Sequence, residues 1–281
     1  MCALTLRLAE HSYEEAVRHH SLDSVIDMHA HVLPGIDDGP EDLEGSVAMV
    51  EAAEWAGVDV LVATPHVRED HPEVRPDELA GRVAELRDEL RTRAIDVSVL
   101  TGGEVAVTTA IEMSDAELRL VTFDGNGRDL LIETPYAPLT PMFDAVLDDL
   151  SARGFRLTLA HPERNSTFQE EPERLASLVN LGVLIQVTGG SLARPRRSGA
   201  RRLGLKILRR RWCHVLASDS HGLELQRPNL RETLRIAERE QAAPQAELRW
   251  MVDDAPAAIL AGDELPARPA ARARRLLGRR R

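Results

Sequence analysis

Six short apolar runs in this 281-residue chain each end in a histidine or a carboxylate. Val25-Ile26-Asp27-Met28 leads into His29-Ala30-His31, and Leu61 to Pro65 leads into His66. Val99 to Gly103 ends at Glu104, Asp129 to Ile132 at Glu133, Leu157 to Ala160 at His161, and Val215 to Ser218 at Asp219-Ser220-His221. Imidazoles with carboxylates and no thiolate suit Mn, Fe or Zn, whereas a structural zinc site more often uses cysteine. His29 and His31 are two apart, as are Asp219 and His221, so each pair can point one way from a strand. Metals held like this lower the pKa of a bound water and stabilise charge on a phosphoryl group. Arg164 and Arg227 follow His161 and His221 on loops, and the planar guanidinium matches phosphate oxygens. The loop Gly35-Ile36-Asp37-Asp38-Gly39-Pro40 brings two aspartates close behind His31, either to ligate metal or to cap the next helix. The pattern is that of a multinuclear metallohydrolase with phosphate as the natural substrate group.

Residues scattered over almost 200 positions meet only if the strands that carry them are parallel. A (β/α) barrel gathers every strand end on one face, where its active sites lie. Amphipathic stretches do alternate with the apolar runs. The spacing predicts helices over 41–56, 76–93, 141–153, 172–181, 199–211, 229–242 and 244–260, with about seven strands between them. No Pro-, Gly- or Ser-rich linker divides the chain and no fixed-period repeat appears. We therefore expect one domain over residues 24–262, an N-terminal extension over 1–23, and a basic, disordered tail over 263–281.

Aromatics make up only 3% of the chain, so the core rests on Leu, Val, Ile and Ala. The net charge of −11 argues against generic nucleic-acid binding. No stretch reaches the ~20 apolar residues of a membrane helix, and the N-terminus carries no secretory apolar core. Two cysteines, Cys2 and Cys213, suit a reducing cytoplasm. Cys213 reads as a small buried hydrophobe, since no Cys-x5-Arg phosphate loop follows it. Residues 194–211 and 268–281 are strongly basic on an otherwise acidic body.

His29-Ala-His31-Val-Leu-Pro-Gly-Ile-Asp-Asp-Gly-Pro, Ala63-Thr-Pro-His66, Gly103-Glu104-Val105, Leu131-Ile-Glu133, Ala160-His-Pro-Glu-Arg164 and Ala217-Ser-Asp-Ser-His221 resemble the polymerase-and-histidinol-phosphatase (PHP) superfamily. Within it they are most similar to the manganese-dependent protein-tyrosine phosphatases of bacterial capsule and exopolysaccharide operons. The likeness covers roughly 24–260. It implies an α/β fold, a distorted TIM-like (β/α)7 barrel, holding three divalent ions, Mn2+ first and Fe or Zn as substitutes. It implies one ion on His29, His31, Glu104 and Asp219, a second on Glu104, Glu133 and His161, and a third on Asp37, His66 and His221. Asp37 is taken over Asp38 from its spacing to His31. Arg164 and Arg227 match the family's phosphate-facing arginines. The implied reaction is direct hydrolysis of phosphotyrosine on the tail of a cognate tyrosine kinase, in the cytoplasm, by an enzyme that can form homo-oligomers.

A small-metabolite phosphatase such as histidinol-phosphatase would share the fold and metals; Glu133, where many superfamily members place a histidine, favours the tyrosine branch. An amidohydrolase also opens on His-x-His, but Lys206, this chain's one lysine, is far from a strand end. A scaffold would have no use for so many buried polar groups.

Overall fold

The computed structural model describes residues 24–224 and 227–270. The expected extension 1–23, with Cys2, lies outside the described residues, as does the end of the tail from 271. The strands are β1 (Ile26–Ala30), β2 (Val60–Ala63), β3 (His66–Val67), β4 (Ser98–Thr101), β5 (Glu104–Ala106), β6 (Asp129–Glu133), β7 (Arg156–Ala160), β8 (Leu184–Thr188) and β9 (Val215–Ala217). All pairings are parallel, in the orders β1-β2-β4 and β3-β5-β6-β7-β8-β9. Thr64-Pro65 separates β2 from β3 and Gly102-Gly103 separates β4 from β5, so nine strands fill seven positions. An isolated bridge, Ala30 to Ser220, brings the last strand back to the first. The seven-position α/β architecture expected from the sequence is present, with two strands broken near the catalytic face.

Burial follows from that arrangement. Ile26, Met28, Val60, Val62, Leu100, Leu131, Leu184 and Val215 form an inner cluster, closed at one end by Phe123, Ile259 and Leu260. A larger outer cluster lies between strands and helices, with Val47, Val50, Val83, Leu86, Leu90, Val146 and Leu150 from helices that lie within the predicted spans. Asp42 caps the helix Leu43–Trp55, its carboxylate accepting the Gly45 N–H at 2.8 Å, and Pro141 opens Pro141–Ala152 at a position where no N–H is needed.

One expected helix is corrected. A continuous helix over 244–260 is replaced by Gln245–Trp250 and Asp254–Leu260. Pro256 has no N–H to give a preceding turn, so it fits only near the start of a new helix. Within the expected tail, residues 263–270 are described and make contacts with the body. Trp250 Nε1 donates to the Pro266 carbonyl at 3.2 Å, and Arg268 pairs with the buried Glu247 at 2.7 Å and lies 5.0 Å over the Trp250 ring. The basic run 194–211 is also partly structural: Arg201 is buried against Glu240 at 2.6 Å, and Arg211 reaches Glu247 at 2.8 Å. Arg194, Arg196, Arg197 and Arg202 remain exposed.

Candidate metal centre

Strand register brings the ligands together. His66 pairs with Glu104 across β3 and β5, Ala106 with Glu133 across β5 and β6, and Glu133 with Ala160, just before His161. On β1 the register slips between Asp27 and Ala30, where four residues span two steps of β2. Ile26 and Met28 belong to the inner cluster but Ala30 to the outer one, so the slip changes which side chains face inward. His161 and Asp219 hold left-handed backbone, φ 36° and 52°. That conformation is uncommon outside glycine and is kept where surrounding contacts fix it. Here the Gln186 side chain accepts the His161 N–H at 3.1 Å and the His29 carbonyl accepts the Asp219 N–H at 2.8 Å.

His29 and His31 are fully buried with their Nε2 atoms 3.1 Å apart. On the other side of each ring, Nδ1 lies 3.2 Å from the Gln186 amide oxygen in His29 and 2.8 Å from the Asp37 carboxylate in His31. Both acceptors call for Nδ1–H, so in the neutral imidazoles that a metal requires the two Nε2 lone pairs are directed at one another. A cation between them resolves that conflict. Glu104 Oε2 lies 3.4 Å from His29 Nε2 and 3.5 Å from His31 Nε2, and Asp219 Oδ1 lies 3.3 and 3.6 Å from the same atoms. These four residues fit a divalent ion, with Gln186 and Asp37 orienting the imidazoles from behind.

Around this centre, His161 Nε2 lies 2.7 Å from Glu104 Oε1, and Glu133 groups with Glu104 and His66, their ligand atoms within 4.8 Å of one another. Asp38 Oδ1 lies 3.2 Å from His221 Nε2 and 3.6 Å from His66 Nε2, with His31 in the same group. The aspartate that faces His66 and His221 is thus Asp38. Asp37 turns its carboxylate to His31 Nδ1 and to the backbone N–H groups of Gly39 and His66. A Cβ on Gly39 would lie 2.4 Å from the His31 carbonyl oxygen, so only glycine lets the loop fold back this tightly.

Electrostatically the pocket draws positive charge. Burial alone would lower His29 and His31, but Glu104 and Asp219 outweigh it for His29, and Asp219, Asp37 and Glu104 hold His31 well above its ordinary value. Burial would raise Glu104 and Asp219; the imidazoles, joined at Asp219 by Arg164, hold both below the usual carboxylate range. Glu133 is raised by burial and by its proximity to Glu104.

A cavity of about 400 Å³ opens over Asp38, His66, His161, Asp219 and His221, with Arg164 in its wall. Arg164 Nη2 lies 2.7 Å from Asp219 Oδ2. Arg227 is exposed and lies outside this wall. Three residues not singled out from the sequence belong to the site. Arg68 Nη1 donates to Glu133 Oε1 at 3.0 Å, two residues after His66. Tyr136 lies nearly parallel to the His161 ring at 6.3 Å, three residues after Glu133. Gln186 lies on β8, whose end carries no ligand and so gave no signal. Cys213 is buried, its thiol pushed up to about 12 by burial, in keeping with a packing role.

Parallel strands that gather clusters of oxygen and nitrogen donors able to hold metal at one mouth, with an arginine in its wall, define the α/β metallohydrolase class. Residues 25–260 match the family described as capsular polysaccharide synthesis, CpsB/CapC, and the chain belongs to that family. Tyrosine-protein phosphatase YwqE of Bacillus subtilis is 30% identical over 230 residues, 82% of this chain and 89% of that protein. Tyrosine-protein phosphatase CpsB of Streptococcus agalactiae serotype III is 25% identical over 221 residues, 77% and 90% of the two chains. A chain from the crystal structures of YwqE and of Streptococcus pneumoniae CpsB, described as metal-dependent tyrosine phosphatases, superposes with TM-score 0.76 at 29% identity. That match covers 88% of this chain and all of the other. The phosphotriesterase homology protein of Escherichia coli shares the fold, with TM-score 0.56 at 13% identity, over 85% of this chain and 99% of that one.

Proposed function

We propose that this chain is a metal-dependent protein-tyrosine phosphatase that removes phosphate from a bacterial tyrosine kinase governing polysaccharide synthesis. The observation that carries the reading is the convergence of His29, His31, Glu104 and Asp219 on one point, with Arg164 beside Asp219 at the cavity wall. We assign three ions, Mn2+ first: one on those four residues, one on Glu104, Glu133 and His161, and one on Asp38, His66 and His221. Divalent ions held there supply Lewis-acid activation of water and neutralise phosphoryl charge.

The chain's own residues do the rest. Arg164 is positioned to take phosphate oxygens with its fork and to stabilise charge that spreads over them during in-line attack. The bond from water oxygen to phosphorus forms as the bond to the phenolic oxygen breaks. A phenolate is a fair leaving group, with pKa about 10, so a strong general acid is less necessary than for an alkyl ester. Tyr136 offers an aromatic face at the mouth. The exposed Arg194, Arg196, Arg197 and Arg202 have no acidic partner among the described residues and suit an anionic protein substrate at low salt. A cytoplasmic location suits an intracellular kinase domain as partner; among the described residues, no helix is long and apolar enough to cross a membrane.

The test is hydrolysis of a phosphotyrosine peptide by metal-stripped protein with Mn2+ restored, beside a His161→Ala variant and histidinol phosphate. Metal-dependent turnover of the peptide, lost in the variant, is expected. Preference for histidinol phosphate would move the enzyme to small metabolites, and no turnover of either would reject phosphatase activity.

A further inference from the structure

Beside the metal cavity lies a second hollow of about 520 Å³, and Tyr136 lines both. Its wall is largely carbon: Pro135, Pro138, Leu139, Met142 and Phe143, with Ala106 from the end of β5. Glu133 and Arg68 join it to the metal site, since the two are paired at 3.0 Å and both line the hollow. Tyr136 and Met142, which both line this hollow, are exposed at 61% and 58%, so large apolar surface is open to solvent here. The metal reaction uses none of this apolar surface.

We propose that this hollow is a substrate subsite for an apolar side chain two residues from the phosphotyrosine, with Tyr136 as the partition between them; this rests on the phosphatase reading above. The geometry follows from an extended peptide. Side chains two apart project from the same side, about 7 Å apart along the strand. A phosphotyrosine seated over the metals therefore sends its second neighbour across Tyr136 into the adjoining hollow. Its charged lining comes from Arg68, Glu69, Asp70 and Glu133, with Arg68 paired to both Asp70 and Glu133, while the segment 135–143 contributes mostly carbon, so an aliphatic side chain fits against that segment.

The experiment uses metal-loaded full chain and phosphotyrosine peptides that carry Leu or Ser two positions before or after the phosphotyrosine. Leu at one of these positions is expected to raise kcat/KM about tenfold over Ser, mainly through KM. Met142→Asp should bring that ratio close to one. Asp is favourable in the first turn of the helix Pro141–Ala152, and a ratio on one preparation is insensitive to the fraction folded. A ratio near one in the unaltered enzyme, or an unchanged ratio in Met142→Asp, overturns the subsite. Failure to hydrolyse either peptide or p-nitrophenyl phosphate with any divalent metal removes the phosphatase reading and the subsite with it, and is distinguished by the loss of all aryl phosphate turnover.

Discussion

Asp37 and Asp38 are adjacent, chemically identical, and separated in role by one peptide unit. Asp37 faces His31 Nδ1 at 2.8 Å, and Asp38 faces His221 Nε2 at 3.2 Å. Asp38→Asn should lower the metal content of dialysed protein by one ion. Asp37→Asn should keep the stoichiometry and weaken binding about 10- to 100-fold by loosening His31. Elemental analysis with metal titration separates the two, and the reverse pattern would return Asp37 to the ligand set. Arg164→Ala should cut kcat on a phosphotyrosine peptide by about 10²–10³; an unchanged kcat would deny it the phosphate. That His29, His31, Glu104, Glu133, Asp219 and His221 would gather in clusters able to hold metal was legible, because type and spacing alone mark a candidate ligand. The choice between two neighbouring aspartates was not, because a loop obeys no period and its closure depends on the tertiary contact at Gly39.

Strands were legible from their apolar runs, and six of the seven strand positions were marked by a candidate ligand at the end. β8 was not, although Gln186 on it accepts both from His29 and from the His161 backbone. The slip in β1 and the interruptions at Thr64-Pro65 and Gly102-Gly103 leave little trace in a hydropathy pattern, yet they aim His31, His66 and Glu104. A Cβ on Gly103 would stand 2.9 Å from Val67 Cγ2 and 3.0 Å from Val121 Cβ. Gly103→Val should therefore cost about 1–3 kcal/mol in urea unfolding and reduce metal affinity by displacing Glu104. Normal stability with full metal binding would show that the break tolerates a side chain. The one-helix expectation for 244–260 failed for a local reason, since Pro256 dictates a fresh start and apolar spacing does not register it.

At the scale of the whole molecule, candidate metal ligands gather at one mouth, and Pro266 and Arg268 pack on Trp250 and Glu247. Excess Mn2+ should raise Tm and chelation lower it, because the ions bind only the folded chain; a Tm indifferent to EDTA would argue against a multinuclear centre. Removing residues 263–281 takes Arg268 from Glu247, which is 1% exposed but keeps Arg211, and should cost about 1–2 kcal/mol in denaturant unfolding. Nearby His214 accepts the Ile185 N–H at 3.0 Å and is pushed down to about 4 from 6.5 by burial and then by Arg268. Between those values the unfolded chain binds more protons, so this stabilisation is complete above pH 6.5 and lost on acidification towards 4. Asp27, raised by burial to about 6 from 3.8, works the other way: the folded chain binds more protons, and stability falls as pH rises through that window. A comparison with His214→Asn isolates the imidazole. In metal-free protein the unaltered chain should lose about 3 kcal/mol more than the variant between pH 7 and 4. Parallel profiles would show that His214 is not held neutral.

From residue types and intervals alone came the parallel α/β architecture, the candidate nitrogen-and-oxygen donors and the phosphate chemistry, while the capsule phosphatases entered through resemblance of whole motifs. Each rests on something local: the period of a strand, the chemistry of an imidazole, the fork of a guanidinium. Tertiary structure decided which aspartate turns inward, which arginine reaches the cavity, that Gln186 and Asp37 fix the imidazoles, and that an apolar hollow adjoins the metals. Those outcomes depend on contacts between elements far apart in the chain. Such contacts exist only once register, strand breaks and the bridge from Ala30 to Ser220 have placed the elements side by side.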